Sequence, residues 1–167
     1  MRLNHMTVVV ALAAALLALT GCDQKRIEKL EEGVATEADV RRQFGEPHTT
    51  YTEPGGSKTF EYSRQPEGQQ TYMITIGPDG KMSSLRQVLN ARVFATIVPG
   101  MDDSEVRRLL GKPASVKKYD LKPDEEHWEW RWRQDAAAKL FTVTFDGRGK
   151  VASTAVGDDP RETQVPG

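Results

Sequence analysis

Few residues in this chain are of a type that does covalent or metal chemistry. The only cysteine is Cys22, and the histidines are His5, His48 and His127. A lone cysteine excludes an internal disulfide and a multi-cysteine metal site. His48 and His127 have no cysteine, histidine or carboxylate at a metal-ligand spacing. Asp124, Glu125 and Glu126 run up to His127, and they read as a solvated acidic turn. "DGRGK" at 146–150 has glycines like a phosphate loop, but lacks the spacing and the following Ser or Thr. It lies between two strand patterns and reads as a hairpin turn. No serine stands in G-x-S-x-G. The expectation is a protein with no catalytic residue, no cofactor and no metal.

Cys22 points to different chemistry. "MRLNHMTVVVALAAALLALTGC" places Arg2 before an apolar run from about Met6 to Leu19. That run is shorter than the ~20 apolar residues of a membrane span and fits a secretory signal peptide. "LTGC" at Leu19–Cys22 resembles a bacterial lipobox, in which the cysteine is acylated and becomes the mature N-terminus. The resemblance implies that residues 1–21 are removed and that Cys22 carries acyl chains. Each buried CH₂ contributes ~0.8 kcal/mol, and more than one chain makes a stable anchor. Asp23 directly follows and resembles an inner-membrane retention signal, so the inner membrane stands as the alternative to the outer one. A net charge of -1 gives no electrostatic footprint for nucleic acid, and no basic block is present for anionic lipid. With 28% charged and 38% hydrophobic residues, the rest reads as a globular body.

The candidate recognition residues lie on strand patterns. In "HWEWRWRQ", alternation puts Trp128, Trp130 and Trp132 on one face and Glu129, Arg131 and Arg133 on the other. Trp128 and Trp130 are expected in a core under helices. Trp132, near the strand end, is a candidate contact. The opposite face would show Glu61, Met73, Thr75, Glu129, Arg131, Arg133, Thr142 and Thr144, a mixed polar surface suited to a charged protein contact. The partner-binding candidates are therefore Glu61, Glu129, Arg131, Arg133 and Trp132.

These strands need elements to back them, and the chain spells out one such unit twice. "GVATEADVRRQFGEP" (33–47) and "GMDDSEVRRLLGKP" (100–113) share a polar start, "VRR" and a closing G-x-P. Thr36 with Asp39, and Asp102 with Glu105, have capping-box spacing. Val40 and Phe44, and Val106, Leu109 and Leu110, make short apolar stripes. Gly45 and Gly111 supply positive φ past the helix end, and Pro47 and Pro113 stop continuation. Arg41–Arg42 and Arg107–Arg108 are expected on the solvent side. A second short helix precedes each copy, at Ile27 and Leu30 and at Val93, Phe94 and Ile97. After each come strands: "KTFEYSR" matches "HWEWRWR", and "TYMITIGPDGKM" matches "LFTVTFDGRGKV". Length differences fall in loops, as a duplicated fold shows.

The pattern of Phe94, Ile97, Gly100, Met101, Glu105, Val106, Leu110, Gly111, Pro113, Trp128, Trp130, Val143, Phe145, Asp146, Gly149 and Val151 resembles the BamE (SmpA/OmlA) lipoprotein domain. The first copy carries Gly33, Val40, Phe44, Gly45, Pro47, Phe60, Tyr62, Ile74, Ile76 and Gly80 of the same pattern. The family's namesake has one such domain. A tandem pair is similar to the β-lactamase inhibitor proteins, whose two helix-helix-sheet repeats form one concave surface.

The expected fold is α+β: two tandem helix-helix-antiparallel-sheet repeats with helices on one face of the sheets. The expected division is 1–21 signal peptide, 22–89 and 90–157 the two repeats, and 158–167 a disordered tail. The resemblance implies a lipid-anchored periplasmic binding or scaffold protein at the outer membrane. Its partner would be protein, such as the β-barrel assembly machinery. The alternative is an inhibitor-like protein gripping a periplasmic enzyme through a concave double sheet.

Overall fold

A computed structural model describes residues 23–163. Helical residues 23–27 (α1) and α2 (Glu37–Phe44) precede β1 (Thr49–Thr52), β2 (Lys58–Ser63), β3 (Thr71–Ile76) and β4 (Met82–Gln87). The same order then recurs: α3 (Ala91–Phe94), α4 (Asp103–Leu110), β5 (Ser115–Tyr119), β6 (Lys122–Gln134), β7 (Ala137–Phe145) and β8 (Val151–Asp158), closed by α5 (Pro160–Thr163). The strands form two separate four-stranded antiparallel sheets, β1-β2-β3-β4 (sheet 1) and β5-β6-β7-β8 (sheet 2).

Each copy of the repeated stretch makes an eight-residue helix with defined ends. At α2, Asp39 N–H donates to Thr36 Oγ1 (3.3 Å) and Thr36 N–H donates to Asp39 Oδ2 (3.0 Å). At α4, Asp102 N–H donates to Glu105 Oε2 (2.7 Å), while the Asp102 carboxylate holds Lys150 Nζ at 2.6 Å. Asn90 caps α3 by accepting from Val93 N–H. The turns at 77–81 and 146–150 close hairpins through Gly77 N–H to Lys81 O and Asp146 N–H to Lys150 O, both 2.8 Å.

The two helix pairs meet different surroundings. Val40 and Phe44 share a core with Phe60, Tyr62, Tyr72, Ile74 and Ile76 on one face of sheet 1. Val106, Leu110 and Phe94 share a second core with Trp130, Trp132, Phe141 and Phe145 of sheet 2. Met73 belongs to that second core although it stands in β3, on the face of sheet 1 opposite Phe60. The contacts thus order four layers: α1 and α2, sheet 1, α3 and α4, sheet 2. For sheet 1 this corrects the expectation that helices lie on one face alone. In sheet 1, neighbouring Phe60 and Glu61 point to opposite faces and both are fully buried.

The expected disordered tail also needs correction. β8 continues to Asp158, and Asp159 is 2% exposed and hydrogen-bonded within the body. Residues 164–167 lie outside the described residues.

Candidate interaction surface

Glu61 is the first of the recognition candidates to change role. Its carboxylate accepts from Arg107 Nη1 (2.6 Å), Lys112 N–H (2.8 Å) and Tyr51 Oη (2.9 Å). Arg107 and Lys112 belong to the second copy, so Glu61 is a tie between sheet 1 and α4 and faces no partner. Beside it, Arg108 pairs with Glu53 at 2.6 Å and lies over the Tyr51 ring. Burial, then the charge on Glu61, pushes the Tyr51 hydroxyl up to about 12. In the second copy Arg107 therefore packs on sheet 1, while Arg108 reaches across to Glu53 and Tyr51 and stays half exposed. In the first copy, Arg42 meets only its own helix at Asp39, and Arg41 pairs with Glu37 and Glu46.

Arg131 is the second correction. It is 9% exposed, and its Nε donates to Asp159 Oδ2 at 2.5 Å. Its Nη1 donates to Pro66 O (3.0 Å) in the β2–β3 loop. The ladder between β5 and β6 ends where Ala114 N–H donates to Glu129 O. Past that point Gln65 substitutes for a strand: its Nε2 donates to Arg131 O (2.6 Å) and its Oε1 accepts from Arg131 N–H (3.3 Å). Trp132 is the third correction. It is 4% exposed and meets Phe94 edge to face at 4.9 Å, so it is core. No acceptor reaches its Nε1 among the described residues.

Glu129 and Arg133 remain on the outer face of sheet 2. Glu129 accepts from Ser115 Oγ (2.7 Å) and Lys117 Nζ (2.9 Å). Arg133 is exposed, donates to Gln69 Oε1 at 3.4 Å and to Ala136 O, and lies 3.7 Å from Glu162. Thr142 and Thr144 share this face, and Thr144 Oγ1 meets His127 Nδ1 at 3.2 Å. The result is a polar strip of mixed charge. A concave surface spanning both sheets is not formed, because α4 occupies the face of sheet 1 that would extend it.

The sequence reading missed Arg107, Lys112, Gln65 and Asp159. Each acts across a long sequence separation, which no local periodicity reports. Among the described residues, no group of three His, Cys, Asp or Glu could hold a metal ion.

Cys22 lies outside the described residues. Asp23, beside it, is 6% exposed. Its two carboxylate oxygens accept from Arg64 Nε (3.0 Å) and Nη2 (2.9 Å), a two-pronged pair. Arg64 also lies over the Phe44 ring. Among the described residues, no helix is long and apolar enough to cross a membrane.

No protein-family model matches the chain, and no curated protein matches it. A solved structure described as a putative osmotically inducible lipoprotein OsmE is 28% identical over 41% of this chain and 72% of its own, with a TM-score of 0.37. A likeness at that score does not establish the fold of this chain, which rests on the contacts above.

Proposed function

We propose that this chain is a lipid-anchored binding or scaffold protein of the bacterial envelope, not an enzyme, and that it meets a protein partner through the outer face of sheet 2. The observation that supports this is the asymmetry between the sheets. In sheet 1, α4 lies over the part of the second face that carries Glu61 and Met73, whereas sheet 2 leaves Lys117, Glu129, Thr142 and Thr144 on its outer face, with Arg133 beyond the β2–β3 loop that covers Arg131. Mixed charge over hydroxyl-bearing strands suits a specific polar contact. By resemblance to the BamE domain, the partner belongs to outer-membrane protein assembly.

Anchoring is proposed at Cys22. The Asp23–Arg64 pair holds the chain against the β2–β3 loop one residue after that cysteine, so the acyl chains would leave from this end of the body. With its carboxylate buried against Arg64, Asp23 presents little free charge beside the anchor. This favours the outer-membrane address over inner-membrane retention.

Two experiments test the reading. Cys22→Ser should release the body from membranes, and continued membrane association would defeat the anchor. Lys117→Glu with Arg133→Glu should abolish capture of barrel-assembly subunits from gently solubilised envelopes while leaving the melting temperature nearly unchanged. Recovery of a single soluble periplasmic enzyme instead would favour an inhibitor-like role.

A further inference from the structure

Sheet 1 keeps one stretch of its second face open. α4 lies over Glu61 and Met73, and the next rung on that face is Tyr51, Thr59, Thr75 and Ser84, which pair in that order across β1, β2, β3 and β4. All four side chains carry a hydroxyl. An open groove of about 440 Å³ runs along this rung, walled on the α4 side by Met73, Val88 and Leu109. Thr59 Oγ1 and Thr75 Oγ1 lie 3.3 Å apart, so one of them keeps its O–H for a further bond. The Tyr51 hydroxyl is taken by Glu61, and Tyr51 lines the groove with its ring. Three charged side chains complete the lining. Glu53 and Arg108 satisfy each other at 2.6 Å at the β1 end. Arg86 stands on edge strand β4 at the other end, is exposed, and has no acidic partner among the described residues. Two arginines against one glutamate leave a net charge of +1, concentrated on Arg86.

We propose that this groove binds the C-terminal end of a peptide chain, with the terminal carboxylate on Arg86 and an apolar side chain against Val88 and Leu109. Charge selects the class of ligand. A net charge of +1 with one unpaired guanidinium fits a monoanion, and the planar fork of arginine matches a carboxylate through two parallel bonds. A dianionic phosphate would leave one charge uncompensated and would share the groove with Glu53. Length selects a chain end over a small acid. Neighbouring strands stand about 4.8 Å apart, so the rung spans about 14 Å from β1 to β4, the reach of about four extended residues at ~3.3 Å each. The hydroxyls of Ser84, Thr75 and Thr59 can both donate and accept, which matches the alternating N–H and C=O groups of a backbone laid across them. The groove lies on sheet 1, apart from the outer face of sheet 2, so it adds a second contact and does not rest on the first.

The test is a titration of the isotope-labelled full-length protein in detergent micelles, followed by NMR, with the peptide acetyl-Ala-Thr-Val-Leu carrying a free C-terminal carboxylate. An open groove with one charge-assisted pair should bind it with a Kd of about 0.1–1 mM. The amides of Thr59, Thr75, Ser84 and Arg86 should shift together. The same peptide with a C-terminal amide should bind at least about tenfold more weakly, because the charge-assisted pair is lost. Arg86→Gln should weaken the free acid by the same factor without changing the melting temperature, since Arg86 is exposed. Arg92→Gln, at an exposed arginine of α3 that also lacks an acidic partner among the described residues, should leave binding unchanged. Ser84→Tyr should block the groove with Arg86 intact. Equal binding of acid and amide, binding that survives Arg86→Gln or Ser84→Tyr, shifts confined to the outer face of sheet 2, or no binding at millimolar peptide would each overturn the proposal. Inorganic phosphate shifting the same amides with equal or greater affinity would also overturn it and assign the groove to phosphate.

Discussion

Glu61→Ala removes one carboxylate from three donors at once, in a residue with no exposed surface. A surface residue in that strand could be truncated almost without effect. Breaking a buried charge pair by deleting one partner is instead destabilising by about 3–5 kcal/mol. The Arg107 side chain keeps 27% exposure and can recover some hydration, which places the expected loss near the lower end, about 3 kcal/mol. With a urea m-value near 2 kcal/mol/M, the midpoint should fall by about 1.5 M. Tryptophan fluorescence is the sharper assay. Trp128, Trp130 and Trp132 are the only tryptophans and all stand in β6 of sheet 2, whereas Glu61 is in sheet 1. The tryptophan signal should move with the far-UV transition, because Glu61 ties the halves together. A midpoint drop below about 0.5 M, or a tryptophan transition that stays in place, would refute the tie. Glu61→Met with Arg107→Met should recover much of the loss, since replacing both members of a buried pair by apolar residues is often close to neutral.

Gly45 and Gly111 share nearly the same backbone, φ 83° and ψ -161° against φ 76° and ψ -170°, a region that is essentially glycine-only. A Cβ at Gly45 meets nothing within 4 Å, while one at Gly111 would stand 2.7 Å from Thr71 Cγ2 and 3.2 Å from Glu61. Thermal melts should therefore show Gly111→Ala losing more than the ~1–3 kcal/mol of backbone strain expected for Gly45→Ala, and equal losses would remove the close approach as a cause. Arg131→Ala leaves Asp159 buried without its cation and should destabilise by about 3 kcal/mol in urea unfolding, against under about 1 kcal/mol for exposed Arg133→Ala. Burial raises Tyr62 and Tyr72 from 10 to about 12. Their neutral forms stabilise the fold fully below pH 10, and that stability is lost as pH rises towards about 12, by about 2–3 kcal/mol per tyrosine. Urea midpoints at pH 9 and 11.5 should differ less in Tyr62→Phe with Tyr72→Phe than in the wild type.

Local chemistry was legible in the chain itself. The capped helices, their glycine exits, the hairpin turns and the aromatic face of β6 follow from interactions within a few residues, where spacing and side-chain type are sufficient. The recurring order of helices and strands was legible because both stretches must satisfy the same local rules. The use of each copy was not. "VRR" is written twice, yet one arginine pair stays with its own half of the chain and the other reaches sheet 1 across more than 40 residues. Alternation placed Glu61 and Arg131 opposite the aromatic core, which is correct, but could not say what covers that face. That depends on where α4, the β2–β3 loop and Asp159 come to rest, and burial of a charge is decided by the partners that folding brings to it.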